Sequence, residues 1–194
     1  MAANREDLKN LLGTDEQILE FAAIVEKYAE DRNDGIYSNS GPVHASIVLG
    51  NIFKNTTKSI FAFVEDLNGT VTNHPYCKEN FDRMLSNQEI EINYILRNNP
   101  FNDKKIDKTV INKLIERARL NPKKTKLYLL KDSDKDIYSD NFTLSDESAY
   151  RYENDTKNYI AFFSFKDKEK TNTSRIREIF NILQTNYSEL FPVV

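Results

Sequence analysis

The chain has one cysteine in 194 residues, Cys77, so an internal disulfide framework and a cysteine-based zinc site are both excluded. A reducing compartment is the simplest setting for such a sequence. Five glycines and five prolines argue against a long flexible linker or a collagen-like repeat. Long hydrophobic runs are missing, and the first ten residues (MAANREDLKN) are polar and mixed in charge. Neither a membrane span nor a secretory signal is expected, and a cytoplasmic location with no membrane insertion follows. Nor is there an excess of one charge: 27 basic residues face 30 acidic ones, for a net charge of −3. Bulk attraction to nucleic acid is therefore not expected. Gly-rich phosphate loops, HExxH and Gly-x-Ser-x-Gly are absent too.

What is present is a globular composition, 39% hydrophobic and 29% charged, enough for one buried core. Residues 5–34 predict a helical leader, with Thr14 and Gln17 as a capping box and Ile18, Phe21, Ala22, Val25, Tyr28 and Ala29 on one face. The division expected is a leader over 1–38 and an α/β domain over 39–194. Ser40-Gly41-Pro42 opens a helix to about Asn55. Ser59 to Val64 (SIFAFV) is apolar throughout and reads as a central strand covered on both faces. A helix from Pro75 to Ser86, a strand from Glu91 to Leu96, a helix capped by Asp107 and a strand from Lys126 to Leu130 follow. Asn141–Leu144 and Ala149–Glu153 flank a hairpin turn, Tyr159–Phe165 is a last buried strand, and a helix through Ile176, Phe180 and Leu183 closes the chain. The fold class expected is α/β, a layered sandwich with a mixed sheet.

Chemical motifs are sparse. Asp132, Asp134 and Asp136 alternate like the first half of a calcium loop, but Ile137 and Thr143 stand where the glycine and the closing glutamate belong, so a solvated turn is expected. Asn68-Gly69-Thr70 reads as a turn. His44 and His74 each sit at a helix start beside a proline, where helix-entry polarity is the plain reading. Cys77, in the first turn of the helix that begins at Pro75, reads as packing. No metal and no cofactor are expected.

Open α/β sheets bind ligands outside the carboxyl ends of their strands. Here those ends are polar: Glu65, Asp66 and Asn68 follow the first strand, Arg97, Asn98 and Asn99 the second, and Tyr150, Arg151, Tyr152 and Glu153 lie on the hairpin. Arg151 is the strongest candidate, because alternation turns it away from both tyrosines and a buried guanidinium needs a carboxylate or an anionic ligand. Glu65 or Asp66 is the expected counter-acid.

From His44 to about Leu190 the order of elements resembles one half of the phospholipase D fold, with Lys58-Ser59-Ile60-Phe61-Ala62-Phe63 entering its first strand. The family's His-x-Lys-x4-Asp motif falls on Ser139, Asn141 and Asp146, so only the acid is kept. Its later Gly-Ser-x-Asn-like turn falls on Phe163-Ser164-Phe165-Lys166, keeping one hydroxyl. Asp146–Glu153 also resembles the matching segment of bacterial proteins of this type. The resemblance implies the fold and, with no imidazole nucleophile, a degenerate relative. The expected function is a non-catalytic binding or regulatory module using Glu65, Asp66, Asn68, Arg97, Asp146, Arg151 and Ser164 to hold an anionic small molecule or a protein partner. A phosphodiesterase or nuclease rebuilt around His44 or His74 is the alternative, and a structural protein–protein interaction domain a third. A homodimer is expected as well, since single-copy members of the family pair two halves.

Overall fold

A strand that is apolar at every position must be covered on both faces. In the computed structural model, which describes residues 5–65, 67, 69–102 and 107–192, Ser59–Val64 is that strand. The elements in chain order are α1 (Arg5–Leu12), α2 (Glu16–Glu30), β1 (Tyr37–Asn39), α3 (Pro42–Asn55), β2 (Ser59–Val64), α4 (Pro75–Ser86), β3 (Glu91–Leu96), α5 (Thr109–Leu120), β4 (Thr125–Leu130), β5 (Asn141–Ser145), β6 (Ala149–Asp155), β7 (Ile160–Ser164), α6 (Thr171–Ile182) and β8 (Ser188–Leu190). They form one eight-stranded mixed sheet in the order β1-β7-β6-β5-β2-β3-β4-β8. β2, β3 and β4 are parallel, and β2 meets β5 antiparallel. The expected layered α/β architecture is present.

Alternation divides β2 between two cores. Ile60 and Ala62 pack with Leu49 and Phe53 of α3, Phe81 of α4 and Ile111 of α5. Phe61 and Phe63 pack on the other face with Ile176 and Phe180 of α6. A third cluster joins Ala22, Val25 and Ala29 of α2 to Ile47 and Ile52 of α3 and Phe163 of β7. Ile18, Phe21 and Tyr28 of the leader pack partly buried against that cluster.

Three local expectations change. The leader is two helices, broken at Gly13, whose φ of +84° places it in the left-handed region where helices end. α2 is capped by Asp15 in place of Thr14, Asp15 Oδ1 accepting from the N–H groups of Gln17 at 2.9 Å and Ile18 at 3.3 Å. The two edge strands, β1 and β8, have three residues each and carry no alternation to read. Two buried charges hold elements together: Glu26 of α2 pairs with Lys54 of α3, and Arg117 of α5 donates to Thr125 Oγ1 at 3.0 Å and to the carbonyls of Ile90 (2.9 Å) and Leu85. Among the described residues no helix is long and apolar enough to cross a membrane.

Candidate functional site

Alternation along β6 sends Tyr150 and Tyr152 to the α6 face and Arg151 with Glu153 to the opposite one. The two charges meet at 2.8 Å with side chains only 5% and 7% exposed. Ions withdrawn this far from water need further hydrogen bonds. Arg151 Nε donates to Asn39 Oδ1 on β1 (3.3 Å), and Nη2 also reaches the carbonyl of Tyr159 (3.4 Å). Glu153 Oε2 accepts from Asn141 Nδ2 at 2.8 Å. Asn141 Oδ1 in turn accepts from Arg97 Nη2 at 3.4 Å, and the same nitrogen donates to the carbonyl of Ser139 at 2.7 Å. A polar chain thus crosses the sheet from the end of β3 to the edge strand β1. Arg97 lies 5.0 Å over the Phe63 ring, and its burial pulls its pKa down from the usual guanidinium value.

This chain forms one wall of a cavity of about 140 Å³ at the carboxyl end of β2. Asn141, Thr143, Arg151 and Glu153 supply the polar side; Leu49, Val64, Leu67 and Val71 supply the apolar side. Glu65 lines the cavity from an exposed position, with Asn98 Nδ2 donating to it at 3.4 Å. A wider groove of about 550 Å³ runs along α6 and shares no lining residue with this cavity.

Of the residues singled out in the sequence, the structure brings together Glu65 and Arg151, and joins Arg97 to them through Asn141 and Glu153. The partner of Arg151 is Glu153, two positions along its own strand, in place of Glu65. Asp66 and Asn68 lie outside the described residues. Asp146 and Ser164 are at the other end of the sheet, beside the start of β2. Asp146 accepts there from Thr57 N and Oγ1, Lys58 N and Ser59 N, and Ser164 Oγ accepts from Lys166 N at 3.3 Å. Asn39, Asn141 and Thr143 were not among the sequence candidates; Asn39 is 112 positions from Arg151, a separation no local pattern spans.

Two solved structures share this backbone. The phosphatidylserine synthase of Haemophilus influenzae Rd KW20 aligns over 81% of the chain at 11% identity with a TM-score of 0.53, and the chain spans only 39% of the synthase. TrmBL2, an archaeal chromatin protein described with a novel mode of DNA binding, aligns over 96% of the chain at 15% identity with a TM-score of 0.56, the chain spanning 66% of it. At these identities the likeness is one of fold alone. No family model and no curated protein matches the sequence.

The residues on which the sequence resemblance places the family's motif are tied into the protein's own bonding. Ser139 Oγ donates to Asp140 Oδ1 at 2.9 Å, and Asn141 bridges Arg97 and Glu153. Next to Ser139, Tyr152 OH donates to Asp140 Oδ2 at 2.6 Å and meets Tyr138 OH at 2.7 Å. Burial pushes the Tyr152 hydroxyl well above its ordinary value, so it stays protonated. Cys77 is buried, and burial pushes its thiol up to about 12, leaving no thiolate near neutrality. Among the described residues no cluster of three His, Cys, Asp or Glu side chains could hold a metal ion.

Neither histidine lines the cavity. His44 Nδ1 is 3.0 Å from the Ser40 carbonyl and its ring lies 4.2 Å from that of Phe21. His74 is the N-cap of α4, its Nδ1 accepting from Tyr76 N at 3.3 Å. Burial lowers the His74 pKa from the ordinary 6.5. A group whose folded pKa is depressed gives stability that is complete above its unfolded value and is lost as pH falls through the folded one. The melting temperature of the wild type is therefore expected to drop as pH is lowered from 6.5, and His74→Asn, which keeps a capping oxygen, to flatten that part of the profile. Equal slopes in the two proteins would remove His74 as the cause.

Proposed function

We propose that the protein is a non-catalytic binding or regulatory module on a phospholipase D-like scaffold, with its ligand in the cavity beside Arg151. The observation that carries this reading is a guanidinium 4% exposed, anchored by Glu153, Asn39 and the Tyr159 carbonyl, and lining a cavity at a strand carboxyl end. A planar guanidinium at a cavity wall can take an anionic group through parallel N–H bonds. The motif positions support the absence of turnover: a serine and an asparagine offer no imidazole to form a covalent intermediate. The DNA binding named for TrmBL2 weighs against setting nucleic acid aside on net charge alone.

The test is a thermal-shift panel of small anions and a short oligonucleotide, run on the wild type and Arg151→Lys, beside an assay with bis-p-nitrophenyl phosphate. The expected result is stabilisation by at least one small anion, amounting to ~2.7 kcal/mol at a hundredfold excess over Kd, loss of that response in Arg151→Lys, and no hydrolysis. Hydrolysis by the wild type that a His44→Ala or His74→Ala variant loses would replace this reading with the rebuilt phosphodiesterase. An oligonucleotide response that Arg151→Lys retains would place the binding function elsewhere on the surface.

A further inference from the structure

The cavity that the proposed function uses is amphipathic, small and already supplied with negative charge, and these three properties narrow its occupant. Its volume of about 140 Å³ is well below the roughly 300–1,000 Å³ of sites for drug-sized ligands. A nucleotide or an oligosaccharide does not fit inside. One wall is Leu49, Val64, Leu67 and Val71, which favours a body without polar groups, since each unpaired polar atom buried there would lose its water. The opposite wall offers the Arg151 fork but also the carboxylate of Glu153, with Glu65 at the rim. With one guanidinium against two carboxylates the wall is net negative, so a dianion such as a phosphate monoester meets twice the net repulsion that a monoanion does.

Backbone conformation adds an independent observation at the same place. Among the described residues six non-glycine residues have positive φ. Asp146 and Glu147 form the hairpin turn, Arg32 follows α2, and Lys170 precedes α6, all positions where chain reversal or a helix end accounts for the geometry. Tyr159 at +56° closes the turn between β6 and β7, where chain reversal again accounts for the geometry, and Leu67 at +62° is a bulky side chain in the loop after β2 for which the left-handed region is costly; both line the cavity. Strain of this kind gathers at ligand clamps. At Tyr159 the hairpin turn directs the backbone carbonyl onto Arg151 Nη2 and Asn39 Nδ2, so a residue that lines the cavity orients the cation as well.

We infer that the occupant is a monocarboxylic acid with a short apolar body, its carboxylate on Arg151 and its body held between Leu67 and Tyr159. The inference rests on the binding-module reading and assigns Leu67 and Tyr159 the part of specificity-determining residues. Titration calorimetry of the full chain with benzoate, isovalerate, phenyl phosphate and benzyl alcohol tests it, with the wild type, Arg151→Lys and Tyr159→Asn. Asparagine tolerates the left-handed backbone, so Tyr159→Asn is expected to melt close to or above the wild type while binding benzoate or isovalerate about tenfold more weakly. Phenyl phosphate is expected to bind at least about tenfold more weakly than benzoate, and benzyl alcohol not at all. Phosphate binding that matches or exceeds benzoate and depends on Arg151 would overturn the carboxylate while leaving the binding module standing. Benzoate held equally well by Tyr159→Asn would overturn the clamp. No heat from any of the four compounds overturns the monocarboxylate, and the wider anion panel then decides the module separately.

Discussion

Arg151→Met should lower the melting temperature by on the order of 10 °C, because it removes one member of a buried ion pair and strands the other. The pair is worth little as a pair. Taking two charges out of water costs several kcal/mol per ion, and the attraction between them roughly repays that cost. Glu153 is 7% exposed in its side chain, and without Arg151 its Oε1 loses the guanidinium bonded to it, Asn141 remaining on Oε2. Breaking such a pair from one side costs about 3–5 kcal/mol, whereas replacing both members by apolar groups is often nearly neutral. Arg151→Met combined with Glu153→Leu is therefore expected to recover most of the loss, measured by thermal and urea unfolding of the two single variants and the double one. A single variant that melts within about a degree of wild type would show the pair to be solvated, as a surface pair of 0–1 kcal/mol would be, and would remove the buried guanidinium on which the proposed ligand site rests.

The legibility of this pair in the sequence was partial for a physical reason. Strand alternation is a local rule, and it places Arg151 and Glu153 on one face from the sequence alone. Whether that face is dry depends on α3 and β7, elements distant in the chain, so the choice between a surface pair and a buried one was not readable locally. The same division holds for the fold. β2, β3 and α4 have the ranges their apolar patterns predict, since a continuous run between polar flanks and a Pro at a helix start are strong local signals. β1 and β8 were missed, because a three-residue strand is specified by the neighbour it pairs with: Tyr37–Asn39 by β7 and Ser188–Leu190 by β4. At the cavity, Asn39 enters through the first of these edges and Tyr159 through an irregular register between β6 and β7, so half of the site depends on pairings that no window of sequence contains.

Asp146→Ala is expected to destabilise the protein by about 2–4 kcal/mol and to leave ligand binding by the folded molecule unchanged. Asp146 is the one residue that matches the motif of the family the sequence resembles, and the structure gives it a bonding role. Oδ2 accepts from Thr57 N (3.0 Å) and Thr57 Oγ1 (2.8 Å), and Oδ1 accepts from Lys58 N (2.8 Å) and Ser59 N (2.9 Å). One carboxylate thus satisfies three successive backbone donors between α3 and β2, and the Asp146 N–H returns a bond to the Ser59 carbonyl at 2.9 Å. The hairpin turn is fastened in this way to the strand entry, with the register Ile60 to Ser145 immediately beyond it. Alanine loses all four acceptor contacts and holds a left-handed φ of +52° without the local hydrogen bonding that lets aspartate and asparagine adopt it. Asparagine keeps that conformation and one acceptor oxygen, so two of the four contacts survive, and Asp146→Asn is expected to fall between wild type and alanine. The order wild type, asparagine, alanine in urea unfolding checks the argument, and benzoate titration of the folded alanine variant separates it from a role in the site. Loss of ligand affinity in Asp146→Asn at unchanged stability would mean that this carboxylate reaches the cavity from the far end of the sheet, against the bonding described.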